Sequence, residues 1–292
     1  MKIRIGIGLG SETSPENFSR IVDRAEAAGI DSLWLSEHVY SDGVDPFIGM
    51  AHALARTTHL KVGTSVAVLP GRQPVLVAKQ LASLAALAPK RVLPVFGLRP
   101  ARREERDLFE VPDGRRAEVF DESLRLLRSA LAGARNFAGE FYKLDEVGLG
   151  PVPATPLDIW LGGAAPAALR RIGRYGDGWL GSFLPAPDAR AARLAIESAA
   201  SEAGREIEPD HYGMSLLLAG GGITPELAAV ARSRRPDADP GDIIAASWPD
   251  LHRLLDAYLD AGLTKFVVYH RGPQPFGEFL DAFVRELLPR QN

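Results

Sequence analysis

Eight times along this chain a short run of apolar and β-branched residues gives way to a helical pattern, and that alternation leaves few folds open. The strand-like runs fall at residues 3–9, 32–35, 61–68, 91–96, 158–161, 178–182, 212–219 and 265–269. Helical patterns follow at 15–28, 46–57, 74–87, 114–131, 166–174, 188–203 and 250–261, and one at 276–287 closes the chain. Strands separated by helices pair in parallel, because the helix is the crossover that parallel pairing needs. Eight such units in 292 residues, 46% of them hydrophobic, predict an α/β fold: a TIM-type (β/α)8 barrel that takes residues 1–292 as one domain. The first helix shows the pattern clearly. Phe18, Ile21, Val22 and Ala25 share a face, and Gly29 stands where a C-terminal cap belongs.

Two connections exceed the usual loop length and are read as insertions. Residues 98–113, after the fourth strand, carry Arg99, Arg102, Arg103, Glu104, Glu105 and Arg106 and are expected to overhang the barrel mouth. Residues 220–248, after the seventh, hold three consecutive glycines and a helix start at Thr224-Pro225-Glu226, and suit either a lid or a surface excursion. Residues 137–144 alternate around a glycine and read as a short β-hairpin.

A formal net charge of −3 provides no basic footprint for nucleic acid and no polybasic anchor for a membrane. The apolar runs are too short to span a bilayer. With no cysteine there are neither disulfides nor thiolate ligands. The chain also enters a strand pattern without a charged leader, so a cytoplasmic protein acting on small molecules is expected. His52, His59, His211, His252 and His270 show no ligand spacing, and no metal is expected.

Chemistry in such a fold gathers at the C-terminal ends of the strands. The second strand ends in Ser36-Glu37-His38, an acid beside an imidazole. The third runs through Thr64, Ser65 and Val66 into a Pro-Gly turn with Gln73, hydroxyls and an amide suited to the rim of a planar heterocycle, or simply to filling a barrel layer. The fifth ends in Gly162-Gly163-Ala164-Ala165 before a helix that opens with Pro166. Unpaired amides and the helix dipole hold a phosphate there without charged side chains, and small residues allow it to approach. A tight turn that merely needs glycine is the alternative. Trp179, on the next strand, is expected near the same mouth.

In order and spacing these segments resemble the luciferase-like flavin and deazaflavin oxidoreductases, in particular the branch dependent on coenzyme F420. The segments that carry the likeness are Gly29-Ile-Asp-Ser-Leu-Trp-Leu-Ser-Glu-His38, Val62-Gly-Thr-Ser-Val66, Leu69-Pro-Gly-Arg-Gln-Pro-Val-Leu-Val-Ala-Lys-Gln80, Ile159-Trp-Leu-Gly-Gly163 and Arg174-Tyr-Gly-Asp-Gly-Trp179. The resemblance implies that Glu37 and His38 reach the reacting face of the cofactor. It implies a bulge at Ser65-Val66, where the family often has a non-proline cis peptide, and a phosphate turn at 162–165. Ser36, Phe96, Gly97 and Leu98 join the implied cofactor contacts.

Departures from the family pattern bear on the substrate. Many relatives follow the fourth strand with a glutamate that donates a proton in sugar-phosphate dehydrogenases. This chain has Phe96-Gly97-Leu98-Arg99-Pro100 and lacks that acid, which argues against a sugar phosphate and for a less polar pocket. The reading is hydride transfer between F420 and a small organic substrate, with His38 handling the proton, since an imidazole serves as acid or base near neutral pH. Two alternatives share the same clusters: an FMN-dependent monooxygenase fed by a partner reductase, and a non-catalytic cofactor-binding protein. Arg72, Arg99, Arg102 and Arg103 are the expected partners of the acidic F420 tail. Residues 75–87 suit a homodimer face and equally a core-facing helix.

Overall fold

The computed structural model describes residues 2–10 and 14–292. Eight parallel strands form its centre: β1 (Arg4–Leu9), β2 (Ser32–Leu35), β3 (Lys61–Thr64, resuming as Ala67–Val68), β4 (Val92–Leu93 and Val95–Gly97), β5 (Trp160–Gly162), β6 (Gly178–Ser182), β7 (Tyr212–Leu218) and β8 (Lys265–His270). The two halves of β3 pair with the two halves of β4, Val62 with Val92 and Ala67 with Phe96. The path β4–β5–β6–β7–β8–β1–β2–β3 therefore returns to β4, and the sheet closes into a barrel. Closure pairs each barrel strand with a neighbour on both sides, and every strand end on one side faces a common mouth.

The helices are α1 (Pro15–Ala27), α2 (Pro46–Arg56), α3 (Pro74–Leu87), α4 (Arg116–Leu131), α5 (Pro166–Tyr175), α6 (Ala186–Glu202), α7 (Pro225–Arg234), α8 (Trp248–Asp260) and α9 (Phe276–Leu287). Apart from α7, their apolar faces pack on the outside of the barrel in one continuous core that runs from Ile5 to Leu287. Local chemistry sets where the strands begin. At the end of α1, Gly29 takes φ +72°, its N–H bonds Glu26 O, and the Ile30 N–H bonds Ala25 O. That pair of bonds turns the chain directly into β2. Asp45 starts α2 by accepting from Phe47 N and Ile48 N at 3.0 Å.

The third strand departs from the continuous run expected at 61–68. It breaks at a cis Ser65–Val66 peptide. Where the ladder is interrupted, the Thr64 hydroxyl donates to Val95 O at 2.6 Å and accepts from Val95 N at 2.8 Å, so one side chain replaces the missing backbone bonds. The segment after β4 forms a 3-10 helix (Arg103–Leu108) before α4. After β7, a short strand (Ile244–Ala245) pairs back onto Leu217 and Leu218, and with α7 it encloses a small core of Ala219, Ala231, Ile243 and Ile244. Phe137–Ala138 and Lys143–Leu144 form the expected hairpin.

Candidate functional site at the C-terminal mouth

Strand alternation sorts the side chains of β2 into two sets. Ser32 and Trp34 face the barrel interior, where Trp34 Nε1 donates to Ser32 Oγ at 2.9 Å. Ser36 continues that series and donates to Ser65 O at 3.2 Å. Tyr269, at the end of β8, donates to the same carbonyl at 3.3 Å and lies 3.2 Å from Ser36 Oγ. Burial holds the Tyr269 phenol above its ordinary pKa, so it remains a donor. Its ring occupies the space a Cβ on Gly8 would take. Tyr269 was missed in the sequence, although the inward series Lys265, Val267, Tyr269 opposite two β1 glycines was there to be seen.

Val66 lies across the mouth floor between two other glycines. A Cβ on Gly97 would stand 2.7 Å from one Val66 methyl, and a Cβ on Gly162 3.1 Å from the other. Both strands thus give up side chains where Val66 enters. The result is an apolar step bounded by backbone on two sides, and Ser36, His38 and Ser65, at the ends of the neighbouring strands, are half-buried.

The α5 start is open. Gly163 has φ +115°, Gly163 to Pro166 are exposed, and Ala165 at the N-cap has no side chain able to cap. The first-turn amides are left to solvent or to an anion. Trp179 reaches this turn from behind: fully buried, its indole N–H donates to Gly163 O at 2.8 Å. It fixes the turn and does not line the mouth.

Several expected contacts are placed elsewhere. Glu37 points away from Ser36, into the wall, with a side chain only 3% exposed. Its carboxylate accepts from Val68 N at 2.7 Å and from Arg72, so both oxygens are engaged. Burial raises its pKa above the usual carboxylate value against the opposing pull of Arg72. Thr64 is committed to β4. Phe96 is fully buried in the layer between barrel and helices, Leu98 packs against the same layer, and Gln73 is exposed at the α3 N-cap without capping it. The cause is common to all: each sits on the outward half of its strand's alternation or beyond the strand end.

The arginines divide as well. Arg72 is held by Glu37 and by the rings of Phe47 and Phe109, at 5.5 and 5.2 Å. Arg102 donates to Tyr40 O at 3.0 Å. Arg99 and Arg103 are exposed. Burial first, and the charge of Arg99 next, hold the Arg116 guanidinium below its ordinary value. Arg116 Nη1 is buried without a hydrogen-bond partner among the described residues. No group of three His, Cys, Asp or Glu suited to a metal occurs among the described residues, and no helix there is long and apolar enough to cross a membrane.

The family model for luciferase-like monooxygenases matches residues 1–233. An uncharacterised protein of Mycobacterium tuberculosis is 35% identical over 179 residues, 53% of this chain and 62% of the relative's own length. The F420-dependent glucose-6-phosphate dehydrogenase of Tsukamurella paurometabola is 28% identical across 99% of this chain and 98% of that protein. Among solved structures, an F420-dependent secondary alcohol dehydrogenase in complex with an F420-acetone adduct superposes with a TM-score of 0.84 at 18% identity, covering 100% of both chains. That likeness carries the barrel fold.

Proposed function

This chain is a member of the luciferase-like monooxygenase family, and from that membership and the mouth geometry we propose an oxidoreductase that uses coenzyme F420 to move a hydride to or from a small organic substrate. The observation that carries the proposal is the match, over almost the whole chain, to dehydrogenases named for F420. The residues present fit such a group. The Val66 step between Gly97 and Gly162 suits the face of a flat ring, the uncapped α5 start suits a phosphate, and Arg99 with Arg116 suits an acidic tail.

When bound, the deazaflavin supplies a two-electron hydride carrier. The chain's own residues supply the rest. Ser36 and Tyr269 fix the Ser65 carbonyl and with it the floor. His38, half-buried at the end of the inward series, holds or takes the substrate proton. Glu37, with both oxygens engaged in the wall, positions the segment and does not transfer the proton. Val39 and Tyr40, exposed directly beyond His38, support an apolar substrate body in preference to a sugar phosphate. Ile48 on α2 and Leu76 and Leu87 on α3, each at least 65% exposed, support a homodimer through those helices, which sedimentation of Leu76→Glu tests by loss of the dimer.

The decisive experiment titrates the purified protein with F420 and with FMN, then screens alcohols and ketones for substrate-dependent oxidation or reduction of the bound cofactor. Binding of F420 at least tenfold tighter than FMN supports the reading. Equal or reversed preference returns the FMN monooxygenase.

A further inference from the structure

The insertion after β4 grips the backbone just beyond His38 at two points. Glu105 Oε1 accepts from Tyr40 N at 3.2 Å, and Arg102 donates to Tyr40 O at 3.0 Å. Glu105 is fully buried, and its second oxygen has no hydrogen-bond partner among the described residues. Burying a carboxyl group is costly, and one hydrogen bond offsets little of that cost. Among the described residues, the one hydrogen bond this side chain makes is with the Tyr40 amide.

The grip belongs to a larger brace. Glu37, one residue before His38, is tied to Val68 N and Arg72. Arg72 lies over the Phe109 ring, and Gly71, at φ +91°, packs so closely on Phe109 that a Cβ there would fall 2.6 Å from its carbonyl carbon. Phe109 directly follows the 3-10 helix that carries Glu105. The turn after β3 and the insertion after β4 are thus one packed unit, holding the His38 segment at position 37 and again at position 40. Within it, Ser41 Oγ donates to His38 O at 2.8 Å and closes the intervening turn.

We propose that Glu105, seconded by Arg102, is a positioning residue for the reaction: it fixes the Tyr40 peptide and thereby the direction in which the His38 imidazole is presented. The charged insertion is then a brace, with Arg102 spent on the protein's own backbone and not on a ligand. This rests on the reading of His38 given above, but its test begins without cofactor or substrate.

In the cofactor-free protein, Glu105→Ala is expected to speed hydrogen exchange of the Tyr40 amide at least tenfold and to shift or broaden the His38 ring resonances, identified by their loss in His38→Asn. Glu105→Gln keeps a carbonyl acceptor for Tyr40 N and is expected to restore both signals. With a working substrate, Glu105→Ala should lower kcat about tenfold while cofactor affinity stays within twofold. Arg102→Ala, at the outer side of the grip, provides a smaller effect of the same sign should the alanine at 105 not fold. Unchanged Tyr40 exchange and unchanged His38 resonances in a folded Glu105→Ala protein overturn the proposal. Full turnover in His38→Ala, by contrast, removes the proton-transfer reading, and the exchange result still decides the brace.

Discussion

The two ends of this barrel are built from the same eight strands and are opposites in what their glycines admit. At the N-terminal end Gly6, Gly63 and Gly178 leave room that Trp34 and Trp160 fill, and Lys265 Nζ lies 5.9 and 5.7 Å from those two ring centroids. Arg4, Lys61, Asp158, Asp210 and His211 surround a cavity of about 130 Å³ there. At the C-terminal end Gly97 and Gly162 admit a single valine, the strand-end residues Ser36, His38 and Ser65 are half-buried, and the start of α5 is uncapped. Large side chains plug one end, and small ones leave the other open to a ligand. The lesson is that glycine in a barrel strand is ambiguous until the neighbour that uses its space is known.

The sharpest way to break this comparison is at His38. If the open end does the chemistry, His38→Ala lowers kcat by about a hundredfold or more, while cofactor affinity changes little. Steady-state kinetics beside a fluorescence titration separates the two. Turnover kept with affinity lost would reduce the histidine to a wall of the pocket. Glu37→Gln, at the neighbouring position, is expected to stay within about fivefold of the parent kcat, because Gln still accepts from Val68 N.

At the plugged end the expected effect is on stability. Burial lowers the Lys265 pKa to about 8 from 10.5. The unfolded chain therefore binds more protons than the folded one between those values, and stability should rise as pH climbs from about 8 toward 10. Below pH 8 the cost is fully present, of order 1–3 kcal/mol. Lys265→Met should raise the melting temperature at pH 7 and flatten that rise, with turnover unaffected. Asp31 pairs with Lys61 at 2.7 Å, an ion pair that the substitution does not remove. A destabilised Lys265→Met protein would mean that the two indole faces outweigh the burial cost.

A gentler test sets stability against binding at the α5 start. Ala165→Asp supplies the missing N-cap and should stabilise the fold by about 0.5–1 kcal/mol. The same carboxylate repels a bound phosphate, so cofactor affinity should fall about tenfold. Gains in both would mean that no anion rests there.

The smallest expected effect is ionic. If Arg99 and Arg116 meet the acidic tail, raising salt from about 0.05 to 0.5 M should weaken F420 more than FMN, by a factor of about two to five. Equal salt dependence leaves those arginines as a solvated face.

Much of the barrel was legible because periodicity is a local property. Strands 32–35 and 178–182 and helices 74–87 and 276–287 fall where the patterns put them. Residue type along the chain also pointed to strand ends: Ser36 and His38 follow β2, Ser65 and Val66 interrupt β3, and Gly162 ends β5. What the chain alone could not reveal is the direction in which each side chain faces after a strand has bulged or ended. Glu37 and His38 are adjacent in sequence, yet Glu37 belongs to the wall. Thr64 repairs the ladder, Trp179 supports the Gly163 turn from behind, and Glu105, 65 residues further along the chain than Tyr40, accepts from its amide. These roles depend on pairs far apart in sequence, Val66 with Gly97 and Gly162, Tyr269 with Gly8, Glu37 with Arg72. Such pairs meet only once the sheet has closed, because excluded volume and buried hydrogen bonds are settled between strands and not within them.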